Sequence, residues 1–413
     1  MNNFICMRTL LLSLSLFVSV SSFAQLGEGF YRVQNFKTER TLFVQDNKSK
    51  GIDYSALTAD MAGIVPWSIF GREYITDPQS VIYIKKIEGE DLYNFYAQGV
   101  NTYEMLGALP IMVTPFGNGT YQCCAEQNGF TLRLCDENNI LSEPDGGLGT
   151  NAPKKPGTND PDPAYQRWYV RQVTPDSPDS YFGLKPTVSV DGKYYLSFYA
   201  MFSFKLHSPG MKAYLIDKYL DDMVVLKEFT EPIIPLGLPV IIECASANPS
   251  DNRLELVGVD AAAYSYHNYL TGNLFCFKEN AIDSHFHKNV TEYNPNSMRL
   301  LGVTAKGRLG MVKTATDGLI QGKLNQQPAY FLPANIAYLK DESPTVAEQI
   351  NFVSEEEFEK AVAIKTVKSE ETAQQVAVYD ATGKHIGNFA SKEAAQRSLQ
   401  KGLYIINNKK VVF

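Results

Sequence analysis

Three histidines form the cluster of this sequence best suited to binding a metal. His285 and His287 are separated by one residue, Asp283 precedes them, and His267 lies earlier in the chain. On a strand, side chains two residues apart point to the same face, and imidazoles at that spacing can bind zinc or copper. The alternative is that these histidines are half-exposed residues flanking a loop. The rest of the sequence gives no reason to expect a bound cofactor.

Motifs of known catalytic sites are absent from the sequence. It contains no Gly-x-Ser-x-Gly, no His-Glu-x-x-His and no glycine-rich phosphate loop that ends in Lys-Ser/Thr. The paired carboxylates of glycoside hydrolases leave no short motif, so a hydrolase with an unrecognised site stays open as a hypothesis.

The cysteines favour free thiols over a disulfide framework. Of the 6 cysteines, one lies in the apolar N-terminal segment, which leaves an odd number. Cys124 and Cys135 flank Asn128-Gly129, a strong signal for a two-residue hairpin. In that hairpin Cys124 opposes Arg133, so the two cysteines are diagonal neighbours and poorly placed for a bridge. A disulfide would need a bulge that shifts the register.

The amino-acid composition favours one fold class and argues against two classes of partner. The 24 tyrosines, 23 phenylalanines, 29 glycines and 21 prolines favour strands joined by tight turns. A net charge of −7 argues against a nucleic-acid partner, which requires a basic face, and gives no sign of binding to anionic membranes. Beyond the N-terminus no stretch approaches the roughly 18 apolar residues of a membrane span, so we expect no transmembrane segment.

The N-terminus has the pattern of an export signal. A short region with one positive charge, Arg8, precedes an apolar run over 10–20, and Ser22-Phe23-Ala24 supplies small residues for cleavage. We therefore predict a signal peptide over 1–24 and a mature chain that begins at Gln25 and works outside the cell.

Residues 25–174 are predicted to form the first domain. Apolar and polar residues alternate over 31–33 and again over 42–44, a related strand recurs over 92–99, and the unit closes with Gln166-Arg167-Trp168. These features resemble ricin-type β-trefoil domains, whose signature is Gln-x-Trp. That motif occurs once in this chain.

The resemblance implies a sugar pocket. Such a pocket combines a carboxylate or amide with an aromatic ring, because sugar hydroxyls need hydrogen-bond acceptors and the C–H face of the sugar packs on a ring. By position, the ligand-binding candidates are Asp46, Asn47 and Trp67 in the first repeat and Gln98 and Asn101 in the second. The alternative for each is a turn residue or a core aromatic. The Gln-x-Trp motif itself is expected to serve the fold.

Residues 175–345 are predicted to form a β-rich middle domain. Asp191-Gly192 between apolar runs predicts another hairpin, and Ala213-Tyr214-Leu215 recurs as Ala337-Tyr338-Leu339. This order resembles a β-rich module of secreted bacterial proteins, to which no shared chemistry is attached.

Residues 346–375 are predicted as a helix and a linker. Ser354-Glu355-Glu356-Glu357 is a capping-box sequence that starts a helix reaching about Ile364. The polar residues 366–374 then predict a linker to the last unit.

Residues 376–413 are predicted as a small β-domain. A strand leads to a turn at Thr382-Gly383, a helix-like stretch follows over 391–396, and two strand-like runs surround Lys409-Lys410. This order resembles the C-terminal sorting domain of proteins that Gram-negative bacteria export through the type IX secretion system. It implies a secreted or outer-surface protein whose C-terminus contacts the secretion machinery. The chain departs from the family's basic or polar finish at Phe413.

These patterns together predict an all-β protein with a β-trefoil-like N-terminal domain, an antiparallel β middle domain and a small C-terminal sorting-like domain. The preferred function is non-catalytic binding at or beyond the cell surface, with glycans as the ligand. The alternative is a structural or adhesive surface protein that binds protein partners. An unrecognised secreted hydrolase is the third hypothesis.

Overall fold

The computed structural model describes most of the chain beyond the N-terminus: residues 26–44, 52–53, 67–70, 74–98, 110–127, 130–135, 141–142, 157, 162–259, 266–274, 291–315, 318–324, 327–343, 346–373, 376–406 and 409–413. These residues form thirty β-strands and two α-helices. The prediction of an all-β protein is therefore confirmed. The predicted signal peptide over 1–24 lies outside the described residues.

The first unit consists of short strands joined by turns. In chain order they are β1 Gly29–Asn35, β2 Thr41–Val44, β3 Ile52–Asp53, β4 Trp67–Phe70, β5 Ile82–Lys86, β6 Tyr93–Ala97, β7 Ile111–Gly117, β8 Thr120–Gln127, β9 Phe130–Leu134, β10 Leu141–Ser142 and β11 Trp168–Gln172.

Six of these strands close into an antiparallel ring. The order is β1–β5–β6–β7–β8–β11, and β11 returns to β1 through five residue pairs that run from Tyr31↔Gln172 to Asn35↔Trp168. On its other edge β11 meets β8 at Trp168↔Tyr121. Two hairpins lie off the ring: β2–β4 is attached to β1, and β9–β10 is attached to β8.

The ring encloses the first hydrophobic core. Trp168 is its largest side chain, is fully buried, and donates its indole N–H to the carbonyl of Leu134 at 2.9 Å. Gln166 is also buried, and its amide oxygen accepts a hydrogen bond from Gln122 at 3.3 Å. Both residues of the Gln-x-Trp motif therefore support the fold. The buried core members are Tyr31, Val33, Leu42, Ile82, Ile84, Tyr93, Phe95, Ile111, Cys123, Ala125, Leu134, Trp168 and Val170.

The predicted cysteine hairpin is present. β8 and β9 pair from Gln127↔Phe130 to Cys124↔Arg133, which leaves two residues for the turn, as Asn128-Gly129 requires. Cys123, Cys124 and Cys244 are buried free thiols, as predicted, and Cys135 is also buried. Cys276 lies outside the described residues.

We expect these four thiols to resist modification in the folded protein. Burial raises the pKa of Cys123 and Cys124, and it raises the pKa of Cys244 to about 12, so little of the reactive thiolate forms at neutral pH. A disulfide-exchange reagent should therefore label at most one thiol of the native mature chain, and all of them in denaturant. A Cys276→Ser variant should show no native labelling. Rapid labelling of two or more native thiols would contradict the expectation.

The second unit also consists of strands. They are β12 Phe182–Gly183, β13 Val188–Val190, β14 Lys193–Phe198, β15 Ser203–Leu206, β16 Lys212–Leu220, β17 Met223–Phe229, β18 Val240–Cys244, β19 Arg253–Gly258, β20 Leu270–Asn273, β21 Met298–Val303, β22 Leu309–Val312, β23 Ile320–Leu324, β24 Gln327–Phe331, β25 Ile336–Lys340 and β26 Gln349–Phe352.

Three sheets organise these strands. Ten strands form the order β13–β14–β18–β16–β17–β26–β22–β21–β25–β20, and β12–β19–β15 form a smaller sheet. A third sheet, β24–β23–β3, includes a two-residue strand of the first unit. The predicted turn at Asp191-Gly192 joins β13 to β14, and both of its residues have positive φ, 51° and 74°, as a type I′ hairpin turn needs.

The first and second units share a hydrophobic cluster. Phe30 and Tyr83 of the ring pack in the same cluster as Phe182 and Phe202 of the second unit, and the rings of Phe30 and Phe202 lie 5.5 Å apart. Burial of these aromatic rings holds the two units together.

The segment over 346–375 differs from its prediction in two ways. It contains β26, which pairs in parallel with β17 and in antiparallel fashion with β22. The helix α1, Glu355–Ala373, continues through most of the predicted linker. The capping box itself is present: Ser354 Oγ accepts from the Glu357 N–H at 3.2 Å, and the Glu357 carboxylate accepts from the Ser354 N–H at 3.1 Å. Glutamate, lysine and alanine are good helix formers, so a polar stretch without glycine or proline does not stop a helix.

The C-terminal unit contains the predicted strand, helix and two final strands, together with one strand, His385–Phe389, that was not predicted. β27 Val376–Asp380, β28 His385–Phe389, α2 Lys392–Ser398, β29 Leu403–Ile406 and β30 Lys409–Val412 form a sheet of order β28–β27–β29–β30 with one helix. Ser391 caps α2 by accepting from the Ala394 N–H at 3.2 Å. Ala395 of α2 packs on Val378 and Ile406, which gives the unit its own small core.

Candidate functional site

Of the three residues predicted to form the first-repeat sugar pocket, only Trp67 lies among the described residues. Trp67 is the first residue of β4, and its backbone pairs with Val44 at the end of β2. The hairpin therefore brings together the two strand ends that flank the predicted first-repeat pocket. Asp46, Asn47 and Asn101 lie outside the described residues, so their role stays a prediction.

Gln98 does not belong to an open pocket, which corrects its assignment as a ligand-binding residue. Its side chain has no exposed surface, and its amide oxygen accepts from Asn335 Nδ2 at 2.6 Å. Asn335 also donates to the carbonyl of Tyr199 at 3.0 Å and accepts from Gln79 Nε2 at 3.1 Å. Three amides thus form a buried cluster between the ring and the second unit, and a sugar cannot reach Gln98 there.

The predicted metal site is described only at His267. This histidine is exposed, and its ring lies 4.8 Å from that of Tyr269. His285 and His287 lie outside the described residues, so the prediction that they bind a metal with His267 stays a prediction. Within the part of the chain that the structure describes, no three histidine, cysteine, aspartate or glutamate side chains are grouped to hold a metal.

An exposed aromatic segment surrounds His267 and was not recognised from the sequence. Tyr266 and Tyr269 are 40% and 39% exposed, and they contact the rings of Phe229 and Tyr219 at 5.1 and 5.8 Å. Asn268 fixes the segment beside β16, because its amide oxygen accepts from the Ile216 N–H at 3.2 Å. In the sequence, only the spacing of Tyr266 and Tyr269 around His267 indicates this surface.

A cavity of about 420 Å³ opens between the first and second units. Its walls come from the turn that follows Tyr74, from the start of β12, and from the 3₁₀ turn Pro249–Asp251. The lining residues are Ile75, Thr76, Tyr181, Lys185, Asn248, Pro249 and Ser250. A space of this volume is within the range of small-molecule sites.

A buried arginine lies directly behind the cavity wall. Arg32 donates to the carbonyls of two lining residues, Tyr181 at 2.7 Å and Ile75 at 3.2 Å, and to Ser80 Oγ at 3.0 Å. Burial lowers the pKa of Arg32 to about 10, while Tyr74 and Asp77 act in the opposite direction. The guanidinium is therefore still charged at neutral pH. Nothing in the sequence indicates that Arg32 is buried, since a single arginine on a strand is ordinarily exposed.

A second arginine fixes the other wall. The Arg253 guanidinium lies 3.9 Å from the centre of the Tyr181 ring, which is a cation–π contact. Arg253 Nε also donates to the carbonyl of Ser250 at 2.9 Å, and Nη1 donates to the carbonyl of Pro175 at 2.7 Å. These bonds hold the aromatic ring and the 3₁₀ turn in fixed positions.

A further cavity, of about 480 Å³, lies between β13–β14 and β21–β22 of the second unit. Its lining has no ionisable side chain: Thr187, Val188, Ser189, Ser197, Leu300, Leu301, Gly302, Val303, Val312, Thr314, Gly318, Pro333 and Ile336. Proton transfer at this cavity would have no donor or base among these residues. The charged cavity between the units is therefore the stronger candidate site.

The comparisons with known proteins give no family. The chain matches no protein-family model, and a comparison with curated proteins finds no match. Within the described ranges, neither helix is long and apolar enough to cross a membrane.

Proposed function

We propose that this protein is a non-catalytic binding protein that acts outside the cell and recognises glycans. The observation that carries the proposal is the strand order of the first unit. A six-stranded antiparallel ring with hairpins attached off the ring, in this chain order, is the arrangement expected of a β-trefoil, the fold that the Gln166-Arg167-Trp168 motif implies. The β2–β4 pair, with Trp67 opposite Val44 at the end where the connecting segment leaves β2, is the part of that fold where the first sugar pocket is expected.

Export is part of the same proposal and rests on the two ends of the sequence. The predicted signal peptide over 1–24 and the sorting-like unit over 376–413 both direct the chain outward, and the secretion machinery is then the partner of the C-terminus. The sheet and helix of residues 376–413 support the proposal because they have a small core of their own. Detection of the full-length protein only in the cytoplasm of its host would refute export.

We expect replacement of Trp67 to weaken glycan binding by the mature chain. Loss of an aromatic platform removes about 1.4 kcal/mol, so Trp67→Ala should bind about tenfold more weakly on a glycan array. Asp46→Ala should also weaken binding, because it removes an acceptor for sugar hydroxyls. Trp67→Phe is the matched control, since it keeps a ring at the same position.

A blank array would refute glycan binding and leave the ring as a scaffold. The structural or adhesive alternative would then be favoured, and capture of defined protein partners would test it. The exposed aromatic segment over 266–269 is the described surface that best suits that alternative, since aromatic side chains are enriched at protein interfaces. Product formation from polysaccharides would instead support the hydrolase hypothesis.

A further inference from the structure

We propose that the cavity between the first and second units binds a sugar residue that carries a carboxylate, as a second site distinct from the predicted trefoil pocket. The proposal rests on the proposed glycan-binding function and specifies one ligand class for it. Four features of the cavity carry the argument: its charge, its unpartnered lining groups, its hydroxyl and amide groups, and its rigid frame.

Positive charge at the cavity is not balanced by ion pairs. Arg32, Lys185 and Arg253 lie in or directly behind its walls, and none of the three takes part in an ion pair of the described residues. The two arginines hydrogen-bond to neutral oxygens only, and Asp77 stabilises the charge of Arg32 without a hydrogen bond to it. A charge in a partly dehydrated site is stabilised by a group of opposite sign, so the cavity favours an anion.

The neighbouring carboxylates are engaged in other contacts. Asp77 accepts a hydrogen bond from the Gln79 N–H at 3.0 Å and caps a 3₁₀ turn. Asp251 accepts from Ser246 Oγ at 2.7 Å. Neither is a lining residue, whereas Lys185 is, so an anionic ligand would meet the Lys185 ammonium without a carboxylate on the wall.

Two lining groups are available to a ligand. The Lys185 side chain is exposed, and its ammonium has no carboxylate partner among the described residues. The Tyr181 hydroxyl likewise has no hydrogen-bond partner in that part of the chain, although its ring is held by Arg253. An ammonium and a phenol can both donate to a carboxylate, and such charge-assisted bonds are stronger than neutral ones.

The remaining lining suits a sugar better than a bare anion. Thr76 and Ser250 present hydroxyls and Asn248 presents an amide, and these groups can exchange hydrogen bonds with sugar hydroxyls. Ile75 and Pro249 supply apolar surface for the C–H face of the ring. A polyhydroxylated ring with one carboxylate matches all of these groups, whereas a small inorganic anion would leave the apolar surface unused.

The frame of the cavity is rigid, which limits the cost of ordering it around a ligand. A side-chain carbon at Gly183 would lie 2.4 Å from the carbonyl oxygen of Pro249, so β12 and the 3₁₀ turn are in direct backbone contact. Asn252 is fully buried, and its amide donates to the carbonyls of Leu184 at 3.1 Å and Asn248 at 3.1 Å. The cavity is therefore formed before the ligand arrives.

The test measures binding of methyl β-glucuronide and methyl β-glucoside to the mature chain by calorimetry. We expect the glucuronide to bind and the uncharged glucoside to bind at least about tenfold more weakly. Lys185→Gln should weaken glucuronide binding about tenfold, because it removes the exposed charge. The binding that remains should depend less on salt concentration. Tyr181→Phe, which removes only the hydroxyl, should also weaken it.

Lys306→Gln is the matched control, since Lys306 is an exposed lysine in the turn between β21 and β22. It should leave glucuronide binding unchanged, and thermal melting of every variant should match the parent. Absence of glucuronide binding, or binding that Lys185→Gln and Tyr181→Phe leave unchanged, would overturn the proposal. Equal affinity for succinate would overturn the assignment to a sugar and identify a site for small organic acids.

The two proposals fail in different ways. Glucuronide binding that is lost in Trp67→Ala but kept in Lys185→Gln would support the trefoil pocket and overturn the cavity. Glucuronide binding that is lost in Lys185→Gln and kept in Trp67→Ala, beside an array blank for neutral glycans, would support the cavity and overturn the trefoil pocket.

Discussion

Replacing Trp168 with alanine is expected to lower the free energy of unfolding by about 4 kcal/mol. The indole is fully buried at the centre of the six-stranded ring, and the backbone of Trp168 pairs with both β1 and β8. Alanine leaves a large cavity and removes the N–H that bonds to Leu134. Since small proteins are typically stable by about 5–15 kcal/mol, the first unit should unfold early in a urea titration followed by circular dichroism.

Trp168→Phe separates the effect of the lost hydrogen bond from the effect of the cavity. Phenylalanine fills most of the volume but leaves the carbonyl of Leu134 without its donor, so a loss of about 1–2 kcal/mol is expected. A loss below about 1 kcal/mol for the alanine variant would mean that the indole does not fill the ring core.

Replacing Asn335 with alanine is expected to cost about 3 kcal/mol of unfolding free energy. The substitution removes the partner of two buried groups, the amide nitrogen of Gln79 and the amide oxygen of Gln98, and one hydrogen bond to the partly buried carbonyl of Tyr199. Within the described residues, the other amide atoms of Gln79 and Gln98 already have no partner, so the cluster cannot compensate internally. Urea denaturation of the variant and the parent measures the difference.

Asn118→Ala is the matched control for Asn335→Ala. Both asparagines have positive φ, 52° and 58°, but Asn118 is exposed in the turn between β7 and β8. Alanine at a positive φ costs about 1 kcal/mol through backbone strain in either position. The excess loss at Asn335 therefore measures the buried hydrogen bonds. Equal losses at the two positions would mean that the amide cluster contributes nothing to stability.

Local turn chemistry was readable from the sequence. Asn128-Gly129 and Asp191-Gly192 each predicted a two-residue hairpin, and the observed registers leave two residues for each turn. The sequence also indicates the Ser354–Glu357 capping box and the turn at Thr382-Gly383, but not β28, which follows that turn. In each of these cases a few neighbouring residues determine the backbone, so the signal is contained in a short window.

Contacts between residues far apart in the sequence could not be predicted. Nothing near Gln349–Phe352 indicates that it would form a parallel strand beside β17, and nothing near Gln98 indicates a partner at Asn335. The charged cavity was missed for the same reason: Arg32, Lys185 and Arg253 are far apart in the sequence and meet only after the two units pack. Helix α1 is longer than predicted. A polar stretch without apolar periodicity is easily taken for a linker, even when its residues are good helix formers.

The closure of the ring also determines the order in which the chain can fold. Arg171 on β11 donates to the side chain of Gln34 on β1, and the two residues are 137 positions apart. Joining such distant residues is slow, because the entropy of the intervening loop is lost before the contact stabilises it. As the chain emerges from a ribosome, β1 to β8 therefore keep an open seam until β11 appears. The last strand of the first unit closes the seam, so the ring cannot be completed until Trp168–Gln172 has been synthesised.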